Sequence, residues 1–202
     1  MKPAFFFDRD GVINNLVWNP QTEEYESPHF VDDFQLVPNA VEALQILSTF
    51  ERPMFIVSNQ PSYAKGKTTL EQIKLIQKKM IFDLGHHGIR FTECFYSYRH
   101  PESIIEDFGS PCAGRKPDPL FALEAQKKYD LDMAHSFMIG DQDTDIQFGK
   151  AAGLKTISIM NPNSKLKRGL ETPDLSCKTL LEAAHLLRDL LSARGPRDRD
   201  FD

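Results

Sequence analysis

Five short apolar runs punctuate the chain, and each passes within a few residues into a polar turn. They are Phe5-Phe6-Phe7, Met54-Phe55-Ile56-Val57, Phe91 to Tyr96, Phe137-Met138-Ile139 and Thr156-Ile157-Ser158-Ile159. Runs this short and this apolar read as strands buried on both faces. Between them, apolar residues recur at helical spacing: Val41, Leu44 and Leu47, then Leu70, Ile73, Ile76, Met80 and Leu84. Strands that alternate with helices predict an α/β fold with a doubly wound, mostly parallel sheet. Helices should cover both faces, joined by right-handed crossovers in a Rossmann-like three-layer arrangement.

Local signals set the expected boundaries. Pro38 and Asn39 open the first helix. Thr68 or Thr69 caps the second, with Glu71 and Gln72 in capping-box positions, and Gly85 stops it. Asp118-Pro119 opens the third, which runs to about Tyr129. Ile146 to Ala152 is expected as a short fourth helix closed by Gly153, and a last helix is expected near Lys178 to Leu191. Residues 14–38 and 97–116 carry turn signals and read as loops. The first either leans over the acidic turn beside it or is a plain surface loop with one hydrophobic anchor at Trp18. Neither is long enough for a cap domain. One domain is expected over 1–191, and the charged, aperiodic residues 192–202 read as a disordered tail.

Composition narrows the class of function. The chain has 202 residues and a net charge of −5, so no global attraction draws it to nucleic acid or to an anionic membrane. No apolar run approaches the roughly 20 residues of a membrane helix, and no signal peptide is visible. Three widely spaced cysteines, Cys94, Cys112 and Cys177, suit a reducing compartment. A cytoplasmic monomer is the expectation. Gly66-Lys67-Thr68 is not read as a nucleotide P-loop, because Pro61 stands where its first glycine belongs. Lys65 and Lys67 either approach a distal charge of a ligand or are solvated loop charges. Lys165, Lys167 and Arg168 lack the interleaved aromatics of a nucleic-acid surface.

In a parallel sheet, ligands bind where strands end at their carboxyl side. Asp8, Ser58 and Asp141 each follow a run read as a strand, and Lys116 stands just before a helix, so all four can converge there. An Asp-x-Asp such as Asp8-Arg9-Asp10 is more often a solvated turn than a catalytic pair. Four such pieces in this order fit phosphoryl transfer better than accident. Asp8 can attack phosphorus, and Asp10 can reach the leaving oxygen. Asp8 and Asp141 offer hard oxygen ligands to Mg²⁺, while Ser58 and Lys116 can hold phosphoryl oxygens.

The four segments Asp8-Arg9-Asp10-Gly11, Val57-Ser58-Asn59-Gln60, Arg115-Lys116-Pro117 and Gly140-Asp141-Gln142-Asp143-Thr144-Asp145 resemble the motifs of the haloacid dehalogenase (HAD) superfamily. Their wording is similar to its subfamily IIIA branch of histidinol-phosphate and heptose-bisphosphate phosphatases. The resemblance covers roughly residues 4–160 and includes Asp33 to Pro38 and Ala64 to Lys67. It implies an aspartyl-phosphate on Asp8 and proton transfer by Asp10. It also implies Mg²⁺ on Asp8, the Asp10 backbone carbonyl and Asp141, and phosphate binding by Ser58 and Lys116. Substrate contacts by Asn59 and Arg115 and support from Asp145 are implied as well. The expected activity is hydrolysis of a small phosphorylated metabolite, most naturally a heptose bisphosphate. A histidinol-phosphate-type ester, a polynucleotide end or a non-catalytic binding module on the same fold stand as alternatives.

The sequence departs from that pattern in the loop before Arg115. Where the branch carries Cys-x-His and Cys-x-Cys zinc ligands, this chain has Ser97-Tyr98-Arg99 and Cys112-Ala113-Gly114. One cysteine with His100 nearby cannot close a tetrahedral site, so no structural zinc is expected. Packing of Tyr98 and Phe108 is the expected substitute, or else the loop is mobile. Gln142, Pro61-Ser62 and the long 14–38 segment also depart from the branch.

Overall fold

A computed structural model describes residues 1–193. Its strands are β1 (Phe5–Phe7), β2 (Val17–Asn19), β3 (Glu24–Glu26), β4 (Met54–Asn59), β5 (Glu93–Ser97), β6 (Phe137–Gly140), β7 (Lys155–Ile159) and β8 (Leu175–Cys177). Its helices are α1 (Ala40–Ser48), α2 (Leu70–Gly85), α3 (Leu120–Tyr129), α4 (Asp143–Ala151) and α5 (Leu180–Ser192). Six strands form one sheet in the order β5-β4-β1-β6-β7-β8, every pairing parallel. From β1 the chain winds outward through β4 to β5. It then returns to the other side of β1 as β6 and winds outward again. The winding therefore reverses between β1 and β6, and the crevice beyond their carboxyl ends is where such sheets bind ligands.

The three phenylalanines of β1 show why the sheet has two covered faces. Successive side chains on a strand point to opposite sides. Phe5 and Phe7 join the layer that holds Leu44 and Leu47 of α1, Ile76 and Met80 of α2, and Leu187 of α5. Phe6 joins the other layer, with Ala122 and Ala125 of α3 and Phe148 of α4. Phe6 stacks on Phe55 with ring centroids 4.9 Å apart. All three are fully buried, and truncating such a ring to alanine costs roughly 3–5 kcal/mol. The strand that carries Asp8 is thus clamped from both sides.

Several boundaries differ from expectation for physical reasons. Residues 14–38 are more than a loop: β2 and β3 form an antiparallel hairpin, with Trp18 edge-on to Tyr25 at 5.2 Å. The hairpin is held at its base, where Glu26 pairs with Lys67, and Lys167 Nζ donates to Tyr25 O at 3.3 Å. Strand β8 was not legible. Three half-polar residues give little signal, and Asp174 pins it by accepting bonds from Thr156 N and Oγ1, both at 2.7 Å. Helix α4 begins at Asp143, because acids in a first turn complement the helix dipole. Thr69 caps α2 as expected, its hydroxyl accepting from Gln72 N at 3.1 Å. Neither segment 14–38 nor 97–116 builds a cap domain. Of the expected disordered tail, 192–202, Ser192 instead ends α5 and Ala193 caps it; the remainder lies outside the described residues. Among those described, no helix is long and apolar enough to cross a membrane.

Candidate active site

Asp8 is the first residue beyond β1, and its N–H donates to Ile139 O of β6 at 2.9 Å. Asp141 is the first residue beyond β6. Asp145, in the first turn of α4, completes the group. Ligand oxygens of Asp8, Asp141 and Asp145 all lie within 4.8 Å of one another. Among the described residues it is the one cluster of three or more acids, histidines or cysteines close enough to hold a metal ion. Lys116 Nζ lies between two of these carboxylates, 2.9 Å from Asp8 Oδ1 and 2.6 Å from Asp145 Oδ1. The other oxygen of Asp145 accepts the N–H groups of Asp141 and Gln142, both at 3.0 Å. Asp145 thus holds both Lys116 and the Asp141 turn.

Gly11 makes this closeness possible. Its φ is +86°, and a Cβ there would stand 2.1 Å from Asp141 Oδ2. Any side chain would be strained and would invade the carboxylate cluster.

The charges are not balanced. Burial pushes Asp8 up to about 6; Lys116 pulls against that rise, while the Asp145 and Asp10 carboxylates add to it. Burial, then Asp145 and Asp8, raise Asp141 well above the ordinary carboxylate range. Burial works against the Lys116 ammonium, but Asp145 and Asp8 overcome it and raise its pKa. Both oxygens of Asp141 are buried without a hydrogen-bond partner. Hard carboxylate oxygens, crowded and unsatisfied, are the donor set that a small divalent cation such as Mg²⁺ prefers. The residues present fit that ion.

Asp10 is held apart from this cluster by its own network. Its Oδ1 accepts from Arg9 Nε (3.1 Å), Arg9 Nη2 (2.9 Å) and Asn14 Nδ2 (2.9 Å). Its Oδ2 accepts from Arg9 Nη2 (3.1 Å) and Gln60 Nε2 (2.5 Å). Burial opposes its charge, but the Arg9 guanidinium and the bonds from Asn14 and Gln60 win, and its pKa falls below the ordinary value.

The other expected residues divide. Ser58 is buried near the carboxyl end of β4, where its Oγ accepts from Gln60 Nε2 at 3.1 Å. Asn59 spends its amide on the Lys116 backbone: Nδ2 donates to Lys116 O at 3.1 Å, and Oδ1 accepts from Lys116 N at 2.9 Å. Arg115 Nη1 donates to Arg99 O at 3.2 Å, and burial lowers its pKa. Lys65 lies 3.8 Å from Glu102.

Five further residues build the site without having been given a role in it. Gln60 and Asn14 hold Asp10. Asn161 Nδ2 donates to Gly11 O at 2.8 Å. Ser164 Oγ and Arg168 Nη1 both donate to Asp141 O, at 3.2 and 3.3 Å. Arg168 thus turns inward, away from the surface cluster it was read into. Gln60 was findable as the end of the Val57 to Gln60 motif, and Asn161 as the Asn-Pro start of a helical turn.

In the loop before Arg115, the described contacts are hydrogen bonds, ring packing and long ion pairs of Glu102 with Lys65 and His100. Arg99 Nη1 donates to Gly109 O at 3.2 Å and Pro111 O at 3.5 Å. Phe108 packs edge-on against Tyr63 at 5.0 Å. Tyr98 instead stacks beside Tyr96 and takes its hydrogen bond from Gln77, so the two expected anchors work on separate partners.

A family model described as HAD-hydrolase-like matches residues 113–183, the stretch that carries Lys116, Asp141 and Asp145. The D-glycero-beta-D-manno-heptose-1,7-bisphosphate 7-phosphatase of Yersinia pestis is 31% identical over 154 residues, spanning 76% of this chain and 78% of its own. The chain belongs to this branch of the HAD superfamily. The Vibrio cholerae 7-phosphatase is 33% identical over 155 residues, spanning 77% of this chain and 79% of its own. A HAD fold is also what solved structures share with it. The D,D-heptose 1,7-bisphosphate phosphatase from B. bronchiseptica, complexed with magnesium and phosphate, superposes with a TM-score of 0.77. It is 24% identical and covers 94% of this chain and 99% of its own.

Proposed function

We propose that this HAD member is a Mg²⁺-dependent phosphomonoester hydrolase that removes phosphate from a small phosphorylated sugar, with a heptose bisphosphate as the substrate class. The observation that carries the reading is the buried set at the sheet's switch point: Lys116 bridging Asp8 and Asp145, beside an Asp141 whose oxygens lack partners. The sugar comes from the relatives, which are named for that substrate.

Asp8 Oδ1 is held by Lys116 Nζ and by the Arg9 N–H at 2.7 Å. This leaves Oδ2 to form the bond to phosphorus as the ester P–O bond breaks. Arg9, Asn14 and Gln60 favour the charged form of Asp10, so its carboxylate must gain a proton as the phosphate ester binds; it then passes that proton to the departing alkoxide. A water then attacks the aspartyl-phosphate, Asp10 takes its proton, and the Asp8 carboxylate is restored. Ser58, Lys116 and Arg115 bind phosphoryl or substrate oxygens. Asn59 serves by fixing Lys116. Asp8, Asp141 and the Asp10 carbonyl would hold Mg²⁺, with Asp145 in support. The ion supplies positive charge for the phosphoryl oxygens in the transition state.

The same reading makes residues 1–191 one catalytic domain, acting as a cytoplasmic monomer on a free metabolite rather than on nucleic acid or membrane. Loop 97–114 holds together without structural zinc. Incubating the purified protein with heptose bisphosphate, histidinol phosphate and nucleotide monophosphates, with and without Mg²⁺, tests the proposal. Phosphate release from the heptose ester only with Mg²⁺ is the expected result. No release from any ester would leave a phosphate-binding module.

A further inference from the structure

Gln60 stands where two arms of the site meet. Its Nε2 donates to Asp10 Oδ2 at 2.5 Å and to Ser58 Oγ at 3.1 Å, while its Oε1 accepts from Arg9 Nη2 at 2.8 Å. A guanidinium can only donate and a carboxylate can only accept, so one orientation of the amide satisfies both. Glutamate would set a second carboxylate against Asp10, and an apolar side chain would leave it short of a donor. Arg9 completes the grip. It is fully buried, with Nε and Nη2 both on Asp10. A buried guanidinium needs its counterion in place, so the pair resists separation.

We propose that Gln60, together with Arg9, is a positioning residue for proton transfer: it fixes the Asp10 carboxylate relative to Ser58, hence relative to the phosphoryl group that Ser58 binds. This rests on the role of Asp10 given above. The chemistry needs such a device. Ser58 sits on β4 and Asp10 on the turn after β1, so their separation is set by two different segments. Proton transfer to a leaving oxygen demands placement to within hydrogen-bond reach. An amide bonded to both residues links the two segments directly.

Leaving groups distinguish positioning from general damage. An aryl oxide departs without a proton, whereas a sugar alkoxide needs one. Single-turnover release is therefore compared for an aryl phosphate and an alkyl sugar phosphate. In Gln60→Met, transfer from the alkyl ester should fall at least about tenfold, a fraction of the roughly 10²–10⁴ that general acid–base catalysis supplies. Transfer from the aryl ester should stay within about threefold. Asp10→Asn should show the same split, only larger. If Asp10→Asn slows both esters equally, the role of Asp10 itself is wrong, and the inference falls with it. If Asp10→Asn splits them and Gln60→Met slows both alike, Gln60 is merely structural and the inference alone is overturned. Should Gln60→Met not fold, Gln60→Asn draws the amide back by one methylene and carries the same comparison.

Discussion

Replacing Asp141 with asparagine should make the metal-free protein more stable while abolishing its response to Mg²⁺. Asp141 is fully buried, and neither of its oxygens has a hydrogen-bond partner. A buried group left in that state costs about 1–3 kcal/mol, and a charged one more. The amide is nearly isosteric and carries no charge, and the Asp8 and Asp145 oxygens in the same cluster can accept from it. In a chain of this size 1 kcal/mol shifts Tm by roughly 2–4 °C, so Asp141→Asn should raise the metal-free Tm by about 2–12 °C. The sign with pH follows. The folded-state pKa of Asp141 is raised, so the folded form holds a proton that the unfolded chain has given up. Wild-type stability from this group is lost as pH rises above the unfolded value, and the advantage of the variant should grow over the same window. Thermal unfolding in chelator, at about pH 5 and about pH 7.5, measures it. A variant that melts below wild type in chelator would refute the argument, because Asp141 would then be a satisfied structural residue.

Two further outcomes follow from the same coordinates. Mg²⁺ must displace protons from carboxyls whose pKa is raised. Asp8, pushed to about 6, should by itself weaken Mg²⁺ binding about tenfold between about pH 7 and about pH 5. Asp141 should add to this in the same direction, and titration calorimetry at the two pH values would show no change if the cluster were not the metal site. Arg99→Ala removes the guanidinium from Gly109 O and Pro111 O. It should cost about 1 kcal/mol, a fraction of what a bond to a charged donor is worth when buried, and open residues 100–114 to proteolysis. A zinc-selective chelator should leave the wild-type cleavage pattern unchanged; accelerated cleavage would mean that zinc holds this loop.

What could be read in advance was whatever depends on local pattern. Phe5-Phe6-Phe7 announces a strand covered on both faces, and its period-2 split between Phe5 and Phe7 on one side and Phe6 on the other is what the fold shows. The placement of Asp8 and Asp141 followed, because both stand directly after strands that pair. Side-chain partners at long range could not be read. Nothing local in Asn59 says that its amide will clasp Lys116, 57 positions away. Arg168 looked like one of three surface cations, yet it holds the Asp141 carbonyl, 27 positions away. Strand β8 escaped because a side chain of Asp174, rather than apolar patterning, fixes its register beside β7. The hairpin β2–β3 escaped because its residues are half exposed, and cross-strand pairing of Trp18 with Tyr25 leaves no periodic signal.

The central claim is that Asp8 carries the phosphoryl group during turnover. Mixing enzyme, Mg²⁺ and substrate, quenching in acid within the first turnover and reducing with borohydride converts an acyl phosphate to an alcohol that peptide mass spectrometry can locate. The account predicts that the reduced side chain appears at position 8, and only when substrate and Mg²⁺ are both present. Turnover with no trapped acyl phosphate in wild type and none in Asp10→Asn given an aryl phosphate, whose transfer needs no proton but whose acyl-phosphate hydrolysis should be slowed, would contradict it.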